Sequence, residues 1–212
     1  MPSPLHIIAI AGPSCAGKGT LATWLATRLQ ASILPIDAYY RPLDHLTLDE
    51  RAHVNFDEPA SIDNDLLFHH LSCLRAGRPV DHPIYDFARH TRKPESVRLE
   101  PHGYLIVEGL FSLYWDAIRP LYCAGIYIEA SNPICLDRRV FRDQRERGRT
   151  ETSVRTQYHD TVEPMRGLYV EPTRQFAGLV LDGTRDIDTN GYLSLEFVQE
   201  RTGRPIAAVS AR

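Results

Sequence analysis

A glycine-rich turn, Gly12-Pro-Ser-Cys-Ala-Gly17-Lys18-Gly19-Thr20, separates an apolar run, His6–Ala11, from a stretch in which Leu21, Trp24, Leu25 and Leu29 recur at helical spacing. The pattern predicts a buried strand, a loop and a helix over about Lys18 to Gln30, the context in which G-x-x-x-x-G-K becomes a phosphate cradle. Gly12 and Gly17 let the backbone curl so that successive N–H groups face one centre, and the helix N-terminus adds partial positive charge. Gly12, Pro13, Ser14, Cys15, Ala16, Gly17, Lys18, Gly19 and Thr20 are therefore assigned to nucleotide phosphate, with Lys18 reaching the β- and γ-phosphates. The usual pattern places Ser or Thr directly after the lysine to hold Mg²⁺. Here Gly19 occupies that position and Thr20 follows, so either Thr20 or a water serves the metal.

Further apolar runs at Ser32–Ile36, Tyr104–Val107, Ala124–Ile128 and Gly178–Leu181 alternate with helix-like stretches. That order predicts an α/β domain with a mostly parallel sheet covered by helices. Asn132-Pro133 reads as an N-cap followed by proline at N1, opening a helix to about Arg147 that Gly148 ends. Between Gly77 and Pro101 the chain is rich in Pro, His and Arg, and the alternating runs Val80–Phe87 and Ser96–Leu99 predict a hairpin, about 78–100, projecting beside the sheet. At 212 residues and 43% hydrophobic the chain reads as one domain, 1–212, with a loose tail over Gly203–Arg212.

Charge and cysteine usage narrow the function. Lys and Arg number 24 against 27 Asp and Glu, so no bulk positive field points to nucleic acid or anionic lipid. Cys15, Cys73, Cys123 and Cys135 stand apart without metal-ligand spacing, and the first apolar run is too short for a signal peptide or membrane span. A cytoplasmic enzyme acting on a small molecule, with no nucleic-acid or membrane partner, is the expectation.

Ligands of open α/β sheets sit beyond the carboxyl ends of strands. Asp37, after the second run, and Glu108, after the third, are placed there. Phosphoryl transfer needs little more than a positioned nucleophile and neutralised phosphate charge. Asp37 is accordingly the expected base, and Glu108 the expected holder of Mg²⁺ through water, with Asp37 also near the metal.

Together with these, Asp37-Ala-Tyr39-Tyr, Asn55-Phe56-Asp57-Glu-Pro59, Pro83-Ile-Tyr85-Asp-Phe87 with His90 and Arg92, Val107-Glu-Gly109 and Arg138-Arg-Val-Phe-Arg-Asp143 through Arg147-Gly-Arg149 resemble the uridine-cytidine kinase family, in order, over about residues 6–183. The resemblance implies a P-loop NTPase three-layer α/β fold with a five-stranded parallel sheet, a β-hairpin over the nucleoside, an Arg-rich helical lid and a homotetramer. It implies transfer of the γ-phosphate of ATP, with Mg²⁺, to the 5′-hydroxyl of uridine or cytidine. Carried across by residue, Asp37 is the base, Asp57 and Arg139 hold the ribose hydroxyls, Phe56, Tyr85, Phe87, His90 and Gln157 line the base pocket, and Tyr39 also binds the substrate. Aromatic faces suit a pyrimidine, and an imidazole and an amide can each present either polarity to its edge.

Arg138, Arg139, Arg142, Arg145, Arg147 and Arg149 form a local cationic excess in an acidic chain. Asp137, Asp143 and Glu146 provide helical partners for some of them. Downstream of a phosphate loop the arginines read as a lid over about 138–158, with Arg142 and Arg147 at the transferring phosphate, Arg149 in the lid, and Arg138 and Arg145 at the surface. Gly148 is a hinge or a helix cap.

Two other readings stand beside this one. The GPSCAGKGT loop is similar to that of cytidylate and adenylate kinases, which suggests a nucleoside monophosphate kinase, although Asp37 and Asp57 suit an acceptor without a phosphate. A non-catalytic ATP-binding regulator would keep the loop but has no need of Asp37 and the lid arginines.

Overall fold

The computed structural model describes residues 5–204. Five parallel strands, β1 (His6–Ala11), β2 (Ser32–Pro35), β5 (Tyr104–Glu108), β6 (Ala124–Glu129) and β7 (Leu179–Asp182), form one sheet in the order β2-β5-β1-β6-β7. β3 (Val80–Asp86) and β4 (Thr91–Leu99) form a separate antiparallel hairpin. The helices are α1 (Lys18–Leu29), α2 (Leu48–Ala52), α3 (Asn64–Arg75), α4 (Asn132–Arg147), α5 (Glu151–Gln157), α6 (Glu163–Met165) and α7 (Ile187–Thr202).

Strand alternation divides the core into two layers. Ile7, Ala9 and Ala11 of β1 face one side with Leu105 and Val107 of β5, against Leu67, Leu71 and Leu74 of α3 and Tyr85 of the hairpin. Ile8 and Ile10 face the other side with Ile106, Ile126 and Ile128, against Leu21 and Leu25 of α1, Leu136 and Val140 of α4, and Val198 of α7. Sheet residues buried on both faces read as continuous apolar runs because no face meets water.

Several boundaries differ from the sequence expectation; in the hairpin, β3 ends at Asp86 rather than Phe87 and β4 begins at Thr91 rather than Ser96. α4 is capped by Ser131, and the Asn132 side chain instead donates to Glu163. β2 ends at Pro35, so Ile36–Tyr39 winds into a short 3₁₀ turn that carries Asp37. β7 begins at Leu179, although the Gly178 amide already donates to the Gly125 carbonyl of β6, and the Phe197 ring lies where a Cβ on Gly178 would be. The sequence also gives no signal for the chain after α5, where wide π turns at Tyr158–Val162 and Arg166–Val170 flank α6. Of the tail expected at 203–212, Gly203 closes α7 in a left-handed conformation, and residues 205–212 lie outside the described residues. Among the described residues no helix is long and apolar enough to cross a membrane.

Candidate active site

Topology gathers the site. β1 lies at the centre of the sheet with β5 beside it and β2 outside β5, and Pro35 pairs with Glu108, which also pairs with Ile10. The loop after β1, the Glu108 end of β5 and the Asp37 turn after β2 therefore open along one rim. A cleft of about 1380 Å³ runs over that rim, between the hairpin and α4–α5.

The loop leaves β1 close against β6. Gly12 has φ of 141°, and a Cβ there would lie 2.2 Å from the Ile128 carbonyl oxygen, so only glycine lets the chain turn here. Ser14 through Thr20 line the cleft, whereas Gly12 and Pro13 sit behind them. Lys18 is buried, and its Nζ donates to the Pro13 carbonyl at 2.8 Å, which holds the ammonium over the loop. Thr20 stands in the first turn of α1 and lines the cleft.

Asp37 and Glu108 both line this end. Burial pushes the Asp37 carboxyl above its ordinary range, and Lys18, Arg147 and Arg142 pull it back. Glu108 is raised by burial too, opposed by Lys18. Among the described residues no group of three or more His, Cys, Asp or Glu could cage a metal. Two carboxylates without a cage fit Mg²⁺, which keeps waters and takes most of its remaining ligands from phosphate.

The far end of the cleft is an aromatic box. Phe56 stacks on His90 at 5.3 Å and 19°, Tyr40 packs 5.2 Å from Phe56 and 5.1 Å from Tyr85, and Tyr85 lies 5.3 Å from Phe87. Asp57 lies in the cleft wall beside it, buried and raised by desolvation, with Arg139 as the largest opposing charge. Tyr39 departs from the expectation: fully buried, it turns into the core, its hydroxyl 2.9 Å from Nδ1 of His70. Its neighbour Tyr40 takes the place in the box, and its hydroxyl donates to the Phe56 carbonyl. Adjacent tyrosines in one short turn must point in different directions, and no periodicity over four residues says which points in.

On the opposite wall, Arg139 donates to Ser14 Oγ at 3.1 Å and to Gln157 Oε1 at 3.3 Å. Arg149 donates to the same Gln157 oxygen. Gln157 therefore belongs to the arginine network through its oxygen, and its NH₂ is the group those arginines leave unused. Arg138 lies at the surface as expected, and from there bridges the Cys15 and Gly183 carbonyls at 3.3 and 3.0 Å, tying the phosphate loop to the turn after β7. Arg145 lies outside too, over the Phe141 ring.

The residue the sequence reading undervalued is Asp143. Its carboxylate is fully buried, with Arg142 on Oδ1 at 2.8 Å, Arg147 Nε 3.7 Å from the same oxygen, and Arg139 and Arg149 3.7 and 3.6 Å from Oδ2. The helical spacing of Asp143 to Arg139 and Arg147 was visible in the sequence, but not the convergence of all four.

Comparison with known proteins places these features in a family. The model of the phosphoribulokinase / uridine kinase family matches residues 7–190. The chain is 40% identical over 182 residues to a uridine kinase of Yersinia pestis (strain Pestoides F), covering 82% of this chain and 85% of that one. It is likewise 40% identical over 178 residues to a uridine kinase of Staphylococcus epidermidis, covering 82% and 86%. Among solved structures, phosphoribulokinase from Rhodobacter spheroides superimposes with a TM-score of 0.62 at 14% identity, covering 86% of this chain and 73% of that one.

Proposed function

Because the chain belongs to the phosphoribulokinase / uridine kinase family, we propose that its cleft moves the γ-phosphate of ATP onto the 5′-hydroxyl of uridine or cytidine. It is a phosphotransferase with an alcohol acceptor. One observation carries the nucleoside reading: a single cleft holds a phosphate loop, a carboxylate at the end of β2 and a box of aromatic rings.

The donor triphosphate lies on the Ser14–Thr20 amides and Lys18. The acceptor ring lies among Tyr40, Phe56, Tyr85, Phe87 and His90, with Asp57 and Arg139 toward the ribose. Asp37 accepts the 5′-hydroxyl proton as the new O–P bond forms and the bond from the γ-phosphorus to the β,γ-bridging oxygen breaks, releasing ADP. Arg142, Arg147 and Arg149 face the phosphate charge that this exchange redistributes. Glu108 and Asp37, with Thr20 or a water beside them, would hold Mg²⁺, which would supply neutralisation of phosphate charge. Asp57 accepting from ribose hydroxyls disfavours a 2′-deoxy acceptor, which would leave a buried carboxylate short of a partner.

A nucleoside monophosphate kinase needs cations around the acceptor phosphate, and the acceptor end here offers Asp37 and Asp57. The proposed setting is a reducing cytoplasm, which suits the four free thiols, with association into a homotetramer resting on the family resemblance. A coupled assay of ADP release with uridine, cytidine, UMP and CMP tests the reading. Turnover with a nucleoside supports it, and turnover with monophosphates alone overturns it.

A further inference from the structure

Asp143 sits one residue after Arg142, four after Arg139 and four before Arg147, so one turn of α4 on either side brings those three guanidiniums to its carboxylate. Arg149 lies beyond the helix and reaches the same group because Gly148, at φ 62°, reverses the chain. The Gly148 and Arg149 amides both donate to the Asp143 carbonyl, so main chain and side chain of one residue fix the mouth of the lid.

We propose that Asp143 is a positioning residue for phosphoryl transfer, whose buried carboxylate assembles Arg139, Arg142, Arg147 and Arg149 into a cationic array before nucleotide arrives. The inference rests on the kinase reading of the cleft. Four guanidiniums gathered without an anion repel one another, and one carboxylate among four leaves the array still cationic toward a triphosphate. A carboxylate serving the fold alone would have both oxygens hydrogen-bonded. Among the described residues, Oδ2 of Asp143 and Nε of Arg139 have no hydrogen-bond partner. Arg139 and Arg149 meet that oxygen at ion-pair distance without a hydrogen bond, and their donors go to Ser14, Gln157 and Ser153 instead. Arrays fixed before charge develops stabilise a transition state without reorganising during the reaction.

The test is a double-mutant cycle with Asp143→Asn, which keeps the shape and removes the charge, and Arg142→Ala. In the full chain, Asp143→Asn is expected to lower kcat for uridine by about 10²-fold with a smaller change in KM. In the Arg142→Ala background it is expected to cost about tenfold or less, because one of the four guanidiniums it gathers is already gone. Unchanged kcat, or an equal loss in both backgrounds, overturns the proposal. If Asp143→Asn does not fold, the ligand-free wild-type chain decides: the Arg142 side-chain Nε–H resonance, identified by its loss in Arg142→Lys, should be shifted downfield and protected from exchange. A solvent-like Arg142 resonance overturns the proposal. That readout does not depend on turnover, so a wild-type chain inactive on nucleosides would sink the kinase reading and leave this inference still decided by its own spectrum.

Discussion

Asp37 and His90 stand at the two ends of the acceptor site, and each has a chemistry set by what surrounds it. Asp37 faces Lys18, Arg142 and Arg147, cations that offset the burial raising its carboxyl. Replacing it with alanine removes the proposed proton acceptor and leaves the phosphate loop whole. Asp37→Ala is expected to lower kcat by about 10²-fold or more while ATP affinity, measured by titration calorimetry, holds; unchanged turnover would remove Asp37 from the mechanism. His90 is pulled below the ordinary histidine range by burial first, then by Arg147 and Arg51. Its proton therefore binds only at lower pH, so the ring is neutral near pH 7, with one donor and one acceptor for a pyrimidine edge. KM for uridine should stay flat through neutrality and rise only as pH falls below about 6.5, the unperturbed histidine value. A rise in KM centred at or above that value would contradict this account of His90.

At the scale of elements, the hairpin is the part whose placement is least secured by the sheet, because β3 and β4 pair only with each other. Arg92 of β4 does much of the anchoring. Its Nε donates to the Tyr40 carbonyl at 2.9 Å, and Nη2 to the Tyr39 carbonyl and to Asp63 at 3.1 Å. Asp63 in turn caps α3 through the Leu66 amide. One guanidinium thus joins the hairpin, the turn carrying Asp37 and the start of α3. Arg92→Ala is expected to cost about 2 kcal/mol of stability and to raise KM for the nucleoside more than KM for ATP. Equal changes in both KM values would show that the hairpin does not position the acceptor. In the sequence, Arg92 is legible only as part of a motif. Its carbonyl partners are main-chain groups brought near by folding, and nothing in local spacing announces them. The same holds for Arg138, whose two acceptors are the Cys15 and Gly183 carbonyls on loops far apart in the chain.

For the whole molecule, what could be read beforehand was what period and punctuation encode. The strand cores of β1, β5 and β6 are buried apolar runs, and the phosphate loop is held by glycine at Gly12 where the chain passes β6. Those features are local and fall where expected to within a residue. Side-chain direction in short turns, as in Tyr39 against Tyr40, and convergence through space, as on Asp143, depend on packing that sequence spacing carries poorly. That loop, carboxylate and aromatic box serve one transfer in one cleft is what we propose for the assembled molecule. The ³¹P spectrum of a reaction of the chain with uridine, ATP and Mg²⁺ tests it most directly. The account predicts a monophosphate signal coupled to the 5′-methylene protons, growing in step with ADP; ADP with orthophosphate alone, or phosphate on another ribose hydroxyl, would contradict it.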